Sequence, residues 1–124
     1  MIVHLDTSVV VEAFAGSRPG FPRLTDIVRA GHRLTMCTLA MYEWLRGPRT
    51  ADELDVQQAI IPAESLCVFG PAEAARAASI YRAVRRPRGR DADLAIAACA
   101  IEHDAALWTA NARDFDDIPG LRLL

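Results

Sequence analysis

The residues from Asp91 to Phe115, DADLAIAACAIEHDAALWTANARDF, include a helix that is too apolar to lie on a surface. Leu94, Ala97, Ala98 and Ile101 recur at helical spacing. Ala95, Ile96, Cys99 and Ala100 fill most of the remaining circumference. A helix apolar nearly all round must be covered on several sides. Asp91 and Asp93 stand where this helix starts, where an acid caps free N–H groups and meets the positive end of the dipole. Ala106-Leu107-Trp108 reads as a buried strand, and Thr109, Asn111 and Asp114 follow at its mouth. The unit therefore presents Asp93 and Asp114 at its two exposed ends. Each also has an ordinary role open to it, a helix cap for Asp93 and a turn for Asp114.

Two further acids sit in similar settings. Met1-Ile2-Val3-His4-Leu5 is a short apolar strand that stops at Asp6-Thr7-Ser8. Met41-Tyr42-Glu43-Trp44-Leu45 places one Glu among apolar neighbours on an expected helix. Carboxylates brought together repel, so a protein that clusters them needs compensation. Mg²⁺ or Mn²⁺ would supply it, being hard cations that take oxygen ligands. Zinc fits poorly, because no His pair or Cys set is spaced for it. His4, His32 and His103 have no evident Ser or Cys partner, which argues against a Ser–His–Asp hydrolase. Walker and G-x-G-x-x-G loops are absent.

Along the chain, Met1–Leu5 is the expected first strand, and Thr7 or Ser8 caps a helix through Phe14. GSRPGFP, residues 16–22, is a loop. A helix follows from about Arg23 to Ala30, then a strand over Arg33–Cys37. Thr38 caps the helix carrying Glu43, which ends near Gly47-Pro48. Thr50–Ile60 is a short amphipathic helix with Leu54, Val56, Ala59 and Ile60 inward. Glu64–Gly70 contains a third strand, and Pro71 opens a helix through Tyr81 to about Arg86. Arg82, Arg85, Arg86, Arg88 and Arg90 form a basic run, read either as a solvated helix end or as a phosphate-contacting arm. Leu121–Leu124 is an edge strand, and Asp116 and Asp117 read as solvated turn residues.

LDTSVV at the amino terminus, the Glu of MYEWLRG, DLAIAACAI, and WTANARDFDDIPGL together resemble the PIN-domain ribonucleases. The nearest likeness is to the VapC toxins of bacterial toxin–antitoxin pairs. It runs through essentially the whole chain, in order. It implies a three-layer α/β/α fold with a mostly parallel central sheet. It carries Asp6, Glu43, Asp93 and Asp114 onto the family's acidic quartet, with Asp6 and Asp93 closest to the metal. Thr7, Ser8, Thr109 and Asn111 would orient those carboxylates. Asp93 is preferred to Asp91 because it directly precedes the LAIAA helix. Arg86, Arg88 and Arg90 would meet RNA. The implied activity is Mg²⁺- or Mn²⁺-dependent endoribonuclease, in which metal-activated water leaves a 5′-phosphate and a 3′-hydroxyl. The implied partners are the RNA substrate, a VapB-type antitoxin and a second copy in a homodimer. Phe14, Phe21 and Trp44 are candidate rim anchors for the antitoxin, with core packing as their ordinary role. The alternatives are a PIN-fold nuclease in RNA maturation or DNA processing, and a catalytically weak PIN module that only binds.

Composition agrees with this picture. The 124 residues suit one domain, and 52% are hydrophobic, which excludes disorder. A formal net charge of −2 excludes nucleic-acid binding through bulk charge, so local basic residues must act. Cys37, Cys67 and Cys99 are widely spaced in apolar sequence and read as reduced core residues of a cytoplasmic protein. The apolar start is too short for a signal peptide, and no run reaches membrane-spanning length.

Overall fold

The computed structural model describes residues 1–124. Its strands are β1 (Ile2–Leu5), β2 (Arg33–Cys37), β3 (Leu66–Cys67), β4 (Ala106–Trp108) and β5 (Arg122–Leu123). Its helices are α1 (Thr7–Phe14), α2 (Phe21–Arg29), α3 (Thr38–Leu45), α4 (Ala51–Ile60), α5 (Pro71–Ala83) and α6 (Asp91–Glu102). All strands are parallel, in the order β3-β2-β1-β4-β5. Parallel neighbours need crossover connections, which the helices provide except between β4 and β5, where a loop with a 3₁₀ turn serves.

β1 is the central strand, with Val3 opposite both Leu34 and Ala106. Val3, His4 and Leu5 are consecutive and all fully buried. Consecutive strand residues face opposite sides, so both faces of the sheet are covered. That makes the expected three layers. The chain builds outward through β2 and β3, then returns to the other flank of β1 with β4 and β5. The connections from β1 and β4 therefore diverge at the carboxyl end of the sheet, where open α/β folds form a crevice.

α6 is as deeply set as its sequence requires, with every residue from Leu94 to Ala100 buried. Cys37, Cys67 and Cys99 are buried and unbridged, and the Cys37 and Cys99 sulfurs approach to 3.2 Å. His4 makes no hydrogen bond through either ring nitrogen. Burial holds its pKa down to about 4, so it is a neutral core residue at physiological pH.

Several boundaries differ from the sequence reading. α5 stops at Ala83, not near Arg86, because Val84 turns to an extended ψ of 152° and is buried. Arg86 also precedes Pro87, which disfavours helix there. α2 begins at Phe21, with Pro22 in its first turn, which shortens the preceding loop. The third strand is only two residues long, entered by a 3₁₀ turn over Ala63–Ser65.

In α4 the buried residue is Gln57, while Ala59 is exposed. The cause lies in α3. Trp44 is fully buried and needs an acceptor for its indole N–H. Gln57 Oε1 accepts it at 3.1 Å, and Gln57 Nε2 donates to the Ile61 carbonyl at 3.1 Å. Phe14 packs edge-on against Trp44, with ring centroids 6.2 Å apart. Phe14 and Trp44 are therefore core residues and not rim anchors; Phe21 packs on Phe14 and is half-buried.

Gln57→Leu keeps the volume but leaves the indole N–H unpaired in the core. It should cost about 1–3 kcal/mol. Urea denaturation should show a lower midpoint with an unchanged slope. Adding Trp44→Phe to Gln57→Leu should cost less than the sum of the two single changes.

Candidate functional site at the carboxyl end of the sheet

Asp6 is the first residue past the central strand. Its backbone N–H donates to the Trp108 carbonyl at 3.0 Å, extending the β1–β4 ladder by one bond. Its carbonyl accepts from Val9 and Val10, opening α1. The side chain is nearly buried, and Oδ2 accepts hydrogen bonds from Ser8 Oγ and Thr109 Oγ1, each at 2.8 Å. Ser8 Oγ in turn accepts from the Ala110 N–H at 3.1 Å, and Thr109 Oγ1 accepts from the Asn111 N–H at 2.9 Å. The loop after β4 is thus pinned to the start of α1 through two hydroxyls and one carboxylate oxygen.

Glu43 reaches the same end from α3. Thr7 Oγ1 donates to Glu43 Oε1 at 2.7 Å, and Arg46 stands 3.6 Å from Oε2. Thr7, Ser8 and Thr109 therefore hold carboxylates in place by named bonds. Asn111 takes part through its backbone only; its side chain makes no hydrogen bond to the protein.

Asp93 is half-buried in the first turn of α6. Burial, followed by the charges of Asp6, Asp114 and Glu43, pushes its pKa up to about 6 against a weaker opposing pull from Arg90. Burial is the larger cause, and the contributions of Asp6, Asp114 and Glu43 place their charges in the neighbourhood of Asp93. Asp91 does not join them. Two residues along a helix turn the side chain by about 200°. Asp91 is exposed and instead lines an apolar groove with Leu39, Phe69 and Tyr81.

Asp114 closes a 3₁₀ turn, Ala112–Asp114, after β4. Its carbonyl accepts from Arg90 Nη2 at 2.9 Å. The same guanidinium grips Asp117 through two bonds of 2.9 and 2.6 Å. Two sequence readings change as a result. Asp117 is an ion-pair partner and not a freely solvated turn residue, and Arg90 is engaged within the protein. Arg86 and Arg88 remain exposed beside it. Arg85, Arg86 and Arg113 line a charged cleft with Asp114 and Asp116. Arg113 drew no notice in the sequence, where it is one arginine in a turn. Its position becomes informative only when the 3₁₀ turn brings it beside the loop after α5.

The donor set is oxygen only, which suits a hard cation. No group of three or more His, Cys, Asp or Glu side chains stands arranged to hold a metal ion. A Mg²⁺ site does not require such a cage, since this ion keeps several waters and takes one or two carboxylates. No helix is long and apolar enough to cross a membrane.

Comparison with known proteins bears on the fold and the family. The PIN domain family model matches residues 3–121. Ribonuclease VapC19 of Mycobacterium tuberculosis is 30% identical over 125 aligned positions, covering 95% of each chain. Two solved structures share the fold. One is the DNA-bound VapBC of Salmonella typhimurium, with TM-score 0.80 and 19% identity over 100% of this chain and 97% of that one. The other is VapBC2 of Rickettsia felis bound to a fragment of its promoter, with TM-score 0.77 and 18% identity over 100% and 98%. An all-parallel sheet of this topology, matched along nearly the whole chain by the family model and by a relative 30% identical, places the chain in the PIN-domain family, in its VapC branch.

Proposed function

We propose that this chain is a divalent-metal-dependent endoribonuclease, the toxin of a VapBC-type pair, acting as one PIN domain in the cytoplasm. The observation that carries the reading is the set of carboxylates at the carboxyl end of the sheet, with Asp6 fixed there by Ser8 and Thr109 and Glu43 by Thr7. The likeness to a named ribonuclease supports the choice of substrate class.

Asp6 and Asp93 are the proposed metal ligands. The hydrogen bonds to Asp6 fall on Oδ2, so Oδ1 has no protein donor and is available to a cation. Asp93 faces the other acids, and a cation would relieve the repulsion that raises its pKa. Asp114 and Glu43 act at longer range, holding solvent on the metal or a second cation. When bound, Mg²⁺ or Mn²⁺ activates a water and neutralises charge on the attacked phosphate. Thr7, Ser8 and Thr109 hold Glu43 and Asp6 against the sheet, so little reorganisation accompanies the reaction. Arg86 and Arg88, exposed beside the cleft, supply the local positive charge that a net charge of −2 denies the protein as a whole.

Two partners are part of the proposal. A VapB-type antitoxin would plug the acidic crevice with an Arg or Lys side chain. A second copy would cover exposed apolar side chains, among them Tyr42, Leu45 and Val68, each more than half exposed.

Cleavage of total RNA by the purified, antitoxin-free protein should need Mg²⁺ or Mn²⁺ and stop in EDTA. Full activity in excess chelator would refute the mechanism.

Asp93→Asn should reduce cleavage by at least 100-fold, and Asp91→Asn should have a much smaller effect. The same change should stabilise the metal-free protein. The folded-state pKa of Asp93 lies above its ordinary value of 3.8, so its contribution to stability is present below pH 4 and is lost as pH rises through about 6. A shift of two units is worth about 3 kcal/mol before solvent screening of a half-exposed group, and roughly 1 kcal/mol after it. Thermal melts without divalent ions should therefore show Asp93→Asn above wild type at pH 7.5 and level with it at pH 4.

Expression of the chain alone should arrest growth, and co-expression of an adjacent antitoxin gene should relieve it. Harmless expression at blot-verified levels would favour a maturation nuclease or a binding module.

A further inference from the structure

We infer that Arg90 and Asp117 are positioning residues which set the distance between the Asp93 and Asp114 carboxylates. This inference rests on the nuclease reading and assigns Arg90 a role other than contact with RNA.

Arg90 is the residue immediately before α6, and its carbonyl accepts the Leu94 N–H at 2.9 Å. Its backbone therefore fixes where the helix that carries Asp93 begins. Its own N–H donates to the Pro87 carbonyl at 3.2 Å, which closes the preceding turn. Its side chain then crosses to a different segment. Nη2 donates to the Asp114 carbonyl and to Asp117 Oδ1, and Nη1 donates to Asp117 Oδ2. One residue thus joins the start of α6 to the turn that carries Asp114. These segments are connected along the chain only through the whole of α6 and β4.

The geometry is that of a brace. The bonds of 2.6, 2.9 and 2.9 Å engage both terminal nitrogens of the guanidinium in a paired carboxylate arrangement, and Nη1 also donates to the Arg86 carbonyl at 3.3 Å. The Arg90 side chain is only 20% exposed, against 42% for Asp117. Among the arginines of the charged cleft, Arg90 is the one that is ion-paired; Arg85, Arg86 and Arg113 are the ones left to meet a phosphate. The brace is also cationic. Its charge lies close enough to Asp93 and Asp114 to offset part of the repulsion between them. Lys in this place would keep the charge and lose the fork.

The test uses the full chain and three measurements. Mn²⁺ affinity is measured by isothermal titration calorimetry without RNA. Affinity for a labelled single-stranded RNA is measured in EDTA at several salt concentrations. Cleavage is measured under single turnover. Arg90→Gln and Asp117→Asn should each weaken Mn²⁺ binding about 10-fold or more, the usual effect of losing a residue that orients a ligand. The double variant should be no worse than either single one. Asp117→Glu should recover much of the loss. RNA affinity in EDTA should stay within about 2-fold, with an unchanged salt slope. Arg90→Lys, which keeps the charge and serves if Arg90→Gln does not fold, should still weaken Mn²⁺ binding.

A phosphate-contact role predicts a different pattern. Arg90→Gln would weaken RNA binding and flatten its salt slope, while Asp117→Asn, which removes a negative charge, would tighten it. That pattern, or unchanged Mn²⁺ affinity in the variants, overturns the positioning role and leaves the nuclease reading intact. Failure of the wild type to bind Mn²⁺ overturns both.

Discussion

Like charges held together are the constraint around which this molecule is built. Asp6, Glu43, Asp93 and Asp114 come from four separate segments and meet at one end of the sheet. Partial burial, with their repulsion added, raises the Asp93 carboxyl to about 6. Nothing local keeps such a group together. It persists because Asp6, Glu43 and Asp93 are attached to elements whose apolar packing is stronger than the repulsion, while the turn that carries Asp114 is tied down by Phe115 and Arg90.

α6 shows the balance most directly. Leu94 and Ile96 are almost fully buried, and each large aliphatic side chain contributes about 1.5–3 kcal/mol on burial. The electrostatic strain on Asp93 is roughly 1 kcal/mol after screening. Packing wins, and the helix start is held among the other carboxylates whatever its charge prefers. β1 does the same for Asp6. With neighbours on both sides and both faces covered, the central strand leaves its carboxyl end almost no freedom. The hydroxyls of Ser8 and Thr109 then fix the carboxylate itself.

Polar groups finish what apolar packing leaves loose. The turn carrying Asp114 is exposed and short, and its apolar anchor is the buried Phe115 that follows it. Arg90 reaches it with three hydrogen bonds, while the pair formed by Trp44 and Gln57 secures the helix that carries Glu43. In each case a buried or half-buried polar side chain ties together segments that are distant in the chain.

Much of this was legible in the residues alone. The apolar circumference of α6 demanded a layered fold, and the short β-branched run at the amino terminus marked a strand with an acid at its carboxyl end. Those inferences hold because hydrophobic periodicity is a local property that directly expresses burial. What the residues could not give was partnership. Asp91 and Asp93 are two letters apart, and only helical rotation separates the one facing the acids from the one lining an apolar groove. Arg90 and Asp117 lie 27 residues apart, and each alone looks like a solvated charge. Gln57 reads as a surface residue until Trp44 comes to rest above it. Side-chain pairing across the sheet depends on how the chain turns back at β1, and that is decided by tertiary packing, because neither partner carries a local trace of the other.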